Sequence, residues 1–412
     1  MTECSRSKFG RYYTKPEIGQ TLVDMMSLQQ PAGLIDLGVG SGSLTVAAAR
    51  RWSNLNLLTI DVDPASDRRL SKLLAREEIG SHLHLQADAL EPSLAGLVRE
   101  EFGGADAAVC NPPFTTPIWR AGFDELLEEA GFSGCMPVLA DSDSALLFLS
   151  QALRLLGSGS TLGIILPDSL ISGAKYQRFR RELLRRYRVD VVVRLPTNSF
   201  MYTDALAHIV VLRKGYGGSD QVPLRKFANG RLLSRVAMVD VEQATYRMDY
   251  DYHTTAAVVS WSVDRSNVRL LKDLVQCIQR GSMQATASRE AGIEVFHTTD
   301  MLPNMAGRWI ALPSKQPHDG ERPAYARPGD LLVARVGRNL DSKVLGVHSG
   351  GAWLTDCIYR IRMPKALAKQ TLEQMSSASG RAWLASRSSG VGAKHLSMAD
   401  LLTFPVALKE DK

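Results

Sequence analysis

Residues Gly33–Trp52 read GLIDLGVGSGSLTVAAARRW, and the predicted fold class follows from this stretch. Its first residues are apolar and have the composition of a buried strand, and glycines at alternate positions follow them. The last ten residues, SLTVAAARRW, have the spacing of a helix. Glycines in such a loop let the backbone pass close to a ligand, and the start of the helix offers free N–H groups. The stretch therefore predicts the first strand–loop–helix unit of a ligand-binding α/β fold.

The alternation of strand and helix continues to about residue 214. Apolar runs such as LNLLTIDVD and TLGIILP alternate with helical segments of about 10–15 residues, which is typical of a doubly wound, mostly parallel sheet. Beyond Lys214 a glycine-rich break, GYGGSD, precedes a part of the chain in which short strands prevail. We predict an α/β domain over residues 1–240 and a mixed α+β domain over residues 241–412.

The composition is that of an ordinary globular protein, with 45% hydrophobic and 22% charged residues among 412. The five cysteines include no CxxC pair, so neither a disulfide framework nor a zinc site is predicted, and no metal is expected. The N-terminal MTECSRSKFGRYY lacks the apolar core of a signal peptide, and no run approaches the roughly 18 apolar residues of a membrane span. We expect a cytoplasmic protein without a membrane partner.

The positive charge of the chain is concentrated in its second part. Residues 1–240 carry a net charge of +1, and residues 241–412 carry +5. A polyanionic partner such as nucleic acid would explain this excess, and so would a solvated basic surface. In the first domain, the basic helix YQRFRRELLRRYR is interpreted as a solvated face.

An acid stands directly before the glycines of the first loop, DLGVGSG, whose relevant residues are Asp36, Gly38, Gly40 and Gly42. A nicotinamide-binding loop would show GxGxxG without this acid, so we expect a cofactor with a positively charged tail. Asp61 ends the second predicted strand, where a carboxylate can accept from both hydroxyls of a ribose. Asp88 ends the third strand and can accept from an adenine amino group. Each acid alone also fits a turn or a helix cap, but the full set predicts a site for S-adenosylmethionine (AdoMet).

The stretch VCNPPF, Val109–Phe114, closes another apolar strand with an amide, two prolines and an aromatic ring. Proline removes a backbone donor and fixes φ, so the pair builds a stiff corner. The Asn111 side-chain oxygen and the Pro112 carbonyl can accept from the two hydrogens of an exocyclic amine and so localise its lone pair on nitrogen. Pro113 keeps the corner rigid, and Phe114 can stack on a planar base. The corner is predicted to act by positioning and electrostatics, without a strong base.

The order of these motifs resembles that of the gamma-class amino (N6-adenine) DNA methyltransferases of restriction-modification systems, over residues 9–214. GRYYTKPEI resembles the N-terminal motif of that family, whose threonine, here Thr14, helps to hold the methionine carboxylate of AdoMet. FLSQALRLL followed by GIILP resembles the next helix and strand, which implies that Phe148 lies at the cofactor beside the active site. LPTNSF resembles a later motif and implies that Phe200 packs on an extruded base.

Some features depart from the family pattern or leave a second interpretation open. Phe114 replaces the tyrosine of many members, which removes a hydroxyl and keeps the stacking face. Residues 115–142 form an extra segment that matches none of the family's motifs. Phe148 and Phe200 would also fit ordinary core aromatics.

Residues 266–412 resemble the target-recognition domains of type I restriction specificity subunits, in pieces such as RPGDLLVARVG and GAKHLSMADLLTFPV. The resemblance implies double-stranded DNA as the partner, a location on the nucleoid, and a separate chain for any restriction endonuclease. Candidate DNA contacts lie in glycine- or serine-flanked stretches and are Arg335, Arg338, Lys343, Arg387, Lys394 and His395. These side chains could read guanine edges, touch phosphate or belong to a solvated surface.

Other methyl acceptors and one other class of protein remain as alternatives. The (N/D)PP(Y/F) motif also serves enzymes that methylate the glutamine amide of release factors, whose lone pair is equally delocalised. Those proteins are shorter and lack a C-terminal recognition domain, whereas an RNA adenine is harder to separate from a DNA adenine. Cytosine N4 is a further acceptor, although that class more often has serine at the Asn111 position. A non-catalytic DNA-specificity subunit would be expected to have lost the glycine loop or the corner, and both are intact.

Overall fold

The computed structural model of the chain describes residues 14–136, 142–200, 205–258, 267–313 and 324–408. The chain separates into two compact units, Met1–Tyr250 and Asp251–Lys412. None of the helices in the described ranges is long and apolar enough to cross a membrane.

One large sheet forms the centre of the first unit. Its strands within the described residues are β1 (Gly33–Leu37), β2 (Leu55–Asp61), β3 (Ile79–Gln86), β4 (Ala107–Cys110), β5 (Thr161–Pro167), β6 (Arg188–Arg194), β7 (Ala207–Arg213), β8 (Gln221–Ala228), β9 (Arg231–Leu232) and β10 (Ala237–Asp240). Their spatial order is β3-β2-β1-β4-β5-β7-β6-β8-β10, and β9 pairs with β8. The first five strands of this order are parallel, whereas β7 runs antiparallel to β5 and β6. The predicted mostly parallel sheet is confirmed.

Helices pack on both faces of this sheet. They are α1 (Pro16–Met25), α2 (Ser43–Arg51), α3 (Ser66–Leu74), α4 (Leu94–Glu101), α5 (Phe123–Glu129), α6 (Ser144–Leu155), α7 (Asp168–Ser172), α8 (Gln177–Arg186) and α9 (Val241–Tyr246). Successive residues of a strand point to opposite faces, and β1 shows the result. Leu34 lies in a core with α1 and α2, whereas Ile35 and Leu37 lie in a second core with α5, α6 and α8. The sheet is therefore doubly wound, as predicted.

The two units divide at Tyr250, which differs from the boundary predicted at residue 240. Beyond β10, the side chains of Ala244, Met248 and Tyr250 are buried in the core of the first unit. Arg180 of α8 is fully buried, and its guanidinium donates to the carbonyl oxygens of Thr245 and Tyr246. Residues 241–250 therefore complete the first unit, and Arg180 is an exception to the solvated face predicted for its helix.

The second unit consists mainly of short strands around a core of its own. The strands of its described part are β11 (Val268–Leu270), β12 (Cys277–Arg280), β13 (Val295–Phe296), β14 (Trp309–Ala311), β15 (Tyr325–Ala326), β16 (Leu331–Ala334), β17 (Val336–Gly337), β18 (Val344–Ser349), β19 (Ala352–Leu354), β20 (Ile358–Arg362), β21 (Lys394–His395) and β22 (Pro405–Ala407). They form sheets ordered β12-β20-β16-β18-β14, β13-β19-β15, β11-β22 and β17-β21.

Helices accompany these strands, namely α10 (Tyr250–Val258), which begins at the boundary, α11 (Ala285–Glu290), α12 (Lys365–Ser376), α13 (Ala378–Arg387) and α14 (Met398–Leu402). A core that includes Leu332, Ile361, Leu372, Trp383 and Phe404 joins the strands to α12 and α13. The predicted mixed α+β character is confirmed.

Candidate active site

A cavity of about 300 Å³ lies at the carboxyl ends of β1, β2 and β4, where the ends of parallel strands meet at one edge of the sheet. Eight of the residues predicted from sequence line it together: Thr14, Gly38, Gly40, Asp61, Asp88, Asn111, Pro113 and Phe148. The glycine loop, two of the three acids and the proline corner therefore face one space.

The glycine loop adopts a backbone conformation that residues with a side chain rarely adopt. Gly38, Gly40 and Gly42 have φ values of +80°, +58° and +83°, in the left-handed region that favours glycine. A Cβ added at Gly38 would lie 3.1 Å from the ring of Phe148, so the ring packs directly on the loop. The loop can therefore line a ligand cavity with backbone instead of side chains.

Asp61 joins the glycine loop to the end of β2. Its carboxylate is almost fully buried and accepts from the N–H groups of Gly40 at 2.8 Å and of Asp63 at 2.9 Å. Arg69 of α3 donates to the Gly40 carbonyl at 2.7 Å, which fixes the loop from its other side. The carboxylate is thereby held at the cavity wall.

Asp88 lies at another part of the wall and has a partner that the sequence did not reveal. One carboxylate oxygen accepts from the Leu90 N–H at 2.9 Å, and the other accepts from Arg120 at 2.8 Å. Arg120 belongs to the extra segment 115–142, in which no motif marked it. About 44% of the Asp88 side chain is exposed, so a ligand can reach this carboxylate.

The third acid, Asp36, does not line the cavity, which corrects the prediction that it contacts the cofactor tail. Its side chain is 1% exposed and accepts from the Thr45 hydroxyl of α2 at 2.5 Å. Burial raises the pKa of the Asp36 carboxyl to about 7, and the neighbouring charge of Asp61 acts in the same direction. Asp36 thus ties β1 to α2 beneath the glycine loop.

The proline corner follows β4 and orients Asn111. The Asn111 Nδ2 donates to the Thr14 hydroxyl at 2.7 Å, and Pro113 lines the cavity beside it. The ring of Phe114 meets the ring of Phe200 edge to face, with 5.8 Å between centroids. The predicted amide and aromatic groups are therefore adjacent.

Three other predicted residues support the site from outside the cavity lining. Pro112 and Phe200 are buried, and the ring of Phe200 contacts that of Phe114. The stacking of Phe200 on a base stays a prediction. Gly42 lies at the start of α2, where a Cβ would meet the side chain of Leu70 at 2.9 Å. These residues shape the corner and the loop rather than the cavity wall.

The extra segment 115–142 is part of the core. Its helix α5 buries Phe123, Leu126 and Leu127, and Trp119 packs edge to face on Phe123 at 5.5 Å. Residues 137–141 lie outside the described ranges. The packing of this segment therefore places Arg120 next to the cavity.

A buried cluster elsewhere in the first unit has metal-ligand character. The side chains of Asp168, His208 and Asp249 approach one another within 4.8 Å. His208 Nε2 lies 3.1 Å from the Asp249 carboxylate, and the guanidinium of Arg194 donates to the same carboxylate. Arg194 thus already brings a positive charge to this cluster.

The predicted DNA contacts of the second unit fall into two groups. Arg387 is buried, with its guanidinium 3.9 Å from the ring centroid of Tyr252. It therefore belongs to the core, which corrects the prediction that it contacts DNA. Lys343 is half-buried and donates to the Thr298 carbonyl at 2.7 Å. These two residues have structural partners within the second unit.

The other candidate contacts gather at one ribbon. Strand β17 pairs with β21, which sets Val336 opposite His395 and Gly337 opposite Lys394. Arg335 precedes this pair and donates to the Asp356 carbonyl at 2.6 Å. Arg338, directly after β17, and His395 of β21 are both exposed.

The chain is similar to known methylases over its first half. The sequence profile of the family described as N-6 DNA Methylase matches residues 1–225. The methylase subunit of the type I restriction enzyme MpnII from Mycoplasma pneumoniae is 29% identical over 228 residues, which are 52% of this chain and 42% of that protein. The rRNA N(6)-adenosine-methyltransferase metl-5 of Caenorhabditis elegans is 31% identical over 139 residues, 33% of this chain and 63% of that protein.

The fold likeness extends further along the chain than the sequence likeness. The type IIG restriction endonuclease BpuSI superimposes with a TM-score of 0.52 and 10% identity, over 96% of this chain and 58% of that one. At this identity the likeness is one of fold. The chain spans less than two thirds of each of the two curated relatives. Since the family profile matches more than half of its length, the chain belongs to the N-6 DNA methylase family.

Proposed function

We propose that the chain transfers a methyl group from AdoMet to the N6 amino group of an adenine in double-stranded DNA, within a restriction-modification or other DNA-marking system. The observation that carries this proposal is the shared cavity: Asn111 and Pro113 line the same space as the glycine loop, Asp61 and Asp88. Group transfer requires a donor site and an acceptor site within reach of each other. The family membership supports the same reaction class.

The residues of the cavity fit AdoMet. The left-handed glycines offer backbone where side chains would intrude, and a volume of about 300 Å³ lies within the range of small-molecule pockets. Asp61 would accept from the ribose hydroxyls, Asp88 from the adenine amine, and the Thr14 hydroxyl would donate to the tail carboxylate. When bound, AdoMet supplies a methyl group activated by its sulfonium.

The chain's own contribution to the reaction lies at the proline corner. The Asn111 Oδ1 and the Pro112 carbonyl would accept from the two hydrogens of the target amine, which localises the lone pair on N6. Phe114 would stack on the base, and Phe200 supports Phe114 edge to face. The amine nitrogen would form its new bond to the methyl carbon as the carbon–sulfur bond breaks, the neutral thioether would leave, and the methylated amine would then release a proton to solvent. The base must leave the duplex for this approach, since its amine is otherwise inside the stack.

The second unit would recognise the target sequence. The β17–β21 ribbon carries the exposed Arg338 and His395, which suit contacts to base edges or phosphates in a groove. Residues 241–412 carry the larger share of the positive charge, which favours a nucleic-acid partner.

Transfer of labelled methyl groups from AdoMet to unmethylated duplex DNA by the purified chain tests the proposal. We expect labelled N6-methyladenine from the unchanged protein, and at least a hundredfold slower transfer by Asn111→Ala because an acceptor for the amine is gone. AdoMet affinity, measured by calorimetry, should stay within about twofold. Equal activity of the variant would refute the role of the corner.

An RNA adenine is the second candidate substrate. The similarity to an rRNA N(6)-adenosine-methyltransferase over 139 residues favours it. The labelling experiment therefore includes structured RNA and total cell protein beside DNA. Label in RNA N6-methyladenosine alone would replace the DNA proposal, and label in a glutamine amide would replace both.

A further inference from the structure

We infer that Thr14 is a positioning residue, whose hydroxyl holds the Asn111 amide in the orientation that methyl transfer requires. The inference rests on the proposed function and adds a role for Thr14 in the rate of transfer. In contrast, the role of Thr14 as a contact for the cofactor tail would affect the affinity for AdoMet. The two roles can be separated by experiment.

The hydrogen bond between the two side chains defines the orientation of the amide. Asn111 Nδ2 donates to Thr14 Oγ1 at 2.7 Å, and Thr14 is only 7% exposed. An asparagine amide has a donor end and an acceptor end, and rotation by half a turn exchanges them. Because Thr14 engages the donor end, the acceptor Oδ1 points to the other side of the amide. A target amine needs that acceptor. In the opposite orientation, the hydrogens of Asn111 Nδ2 would face the hydrogens of the target amine.

Thr14 is itself fixed from two directions. The Ser43 hydroxyl, at the start of α2, donates to the Thr14 carbonyl at 3.0 Å. Thr14 also forms an antiparallel β-bridge with Phe200, whose ring supports Phe114. The residue whose hydroxyl orients Asn111 is thus anchored to α2 through Ser43 and to Phe200 through the β-bridge.

One hydroxyl can serve both the amide and the cofactor tail. A threonine hydroxyl has one hydrogen to donate and two lone pairs that accept. While a lone pair accepts from Asn111, the hydrogen remains for a carboxylate in the cavity that Thr14 lines. Loss of the hydroxyl should therefore weaken AdoMet binding and, separately, slow transfer by the saturated enzyme.

Two substitutions of the full-length chain test the inference. Thr14→Val keeps the shape and removes the hydroxyl, whereas Thr14→Ser keeps the hydroxyl and removes a methyl group. At saturating AdoMet and DNA we expect kcat to fall about 10- to 100-fold in Thr14→Val and to stay within about threefold in Thr14→Ser. AdoMet affinity is measured by calorimetry. The fluorescence of 2-aminopurine at the target position reports base extrusion, and we expect it to be unchanged because this base lacks the 6-amino group that Asn111 would hold.

Each other outcome has a defined meaning. A normal kcat at saturation, with weaker AdoMet binding, would overturn the inference and leave Thr14 as a tail contact only. Equal loss of kcat in both variants would also overturn it, because Thr14→Ser keeps the hydroxyl and would then be as slow as the variant that lacks it. Failure of the unchanged protein to methylate DNA, RNA or protein would instead refute the proposed function, and the inference with it.

Discussion

Asp36 is a buried carboxyl beneath the glycine loop, and its burial makes stability depend on pH. Burial raises its pKa from 3.8 to about 7, so the folded state binds a proton more tightly than the unfolded chain does. The stability that this proton contributes is complete below about pH 4 and is lost as the pH rises through 7. The buried site of Asp36 thus favours the protonated, uncharged form of its carboxyl.

The substitution Asp36→Asn removes this titration. Between pH 4.5 and 8 we expect the unchanged protein to lose free energy of unfolding relative to the variant, by an amount on the order of 2–4 kcal/mol. Urea unfolding of both proteins across this range measures the difference. Asp124→Asn, at an exposed position of α5, is the matched control for the exchange of a carboxyl for an amide. Parallel pH profiles of Asp36→Asn and the unchanged protein would contradict the assignment.

The sequence predicted the positions of some site residues and not of others, for a physical reason. Asp61 and Asn111 stand at the ends of parallel strands, so topology alone brings them to one edge. Asp36 lies within β1, and its direction depends on the Thr45 hydroxyl of the following helix. Such a side-chain pairing between elements leaves no regular spacing in the sequence.

At the scale of elements, the extra segment 115–142 brings Arg120 to Asp88. If Asp88 accepts from the adenine amine of the cofactor, the guanidinium competes with that amine for the same carboxylate. We expect Arg120→Ala to bind AdoMet more tightly, by up to about fivefold, since an exposed ion pair contributes at most about 1 kcal/mol. Calorimetric titration with AdoMet measures the change.

The control for Arg120 is Arg185→Ala, which removes another exposed, ion-paired arginine from α8. Its AdoMet affinity should equal that of the unchanged protein. Weaker binding by Arg120→Ala would mean that Arg120 contacts the cofactor itself. The sequence could not predict this pair, because Arg120 and Asp88 are brought together by the packing of α5 and Trp119.

At the scale of the whole molecule, the boundary between the units decides which fragments fold. A chain of residues 1–240 lacks the buried Met248 and Tyr250, and it leaves Arg180 without the carbonyls of Thr245 and Tyr246. Burial of each large apolar side chain contributes about 1.5–3 kcal/mol to stability. The two lost hydrogen bonds of the Arg180 guanidinium add a further cost, although its bonds to the carbonyls of Leu170 and Gly173 remain. We expect the 1–240 chain to be at least about 3 kcal/mol less stable than a 1–250 chain in urea unfolding.

The 1–250 chain also tests which unit binds the cofactor and which unit recognises the DNA sequence. The 1–250 chain should bind AdoMet like the full chain and should lose sequence preference on DNA. Equal stability of the two fragments would contradict the boundary at Tyr250, and a 1–250 chain that still marks one site would contradict recognition by the second unit. The change from helices to short strands indicated a boundary in the sequence. Its position could not be predicted, because Arg180 reaches across about 65 residues to α9.

The most direct measurement is position-by-position sequencing of N6-methyladenine in DNA from cells that express this chain, beside cells that express Asn111→Ala. We predict one recurring methylated sequence with the unchanged chain and none above background with the variant. The same mark in both cultures, or no mark in either from a protein that binds AdoMet, would contradict the account of a DNA adenine methyltransferase built on the Asn111 corner.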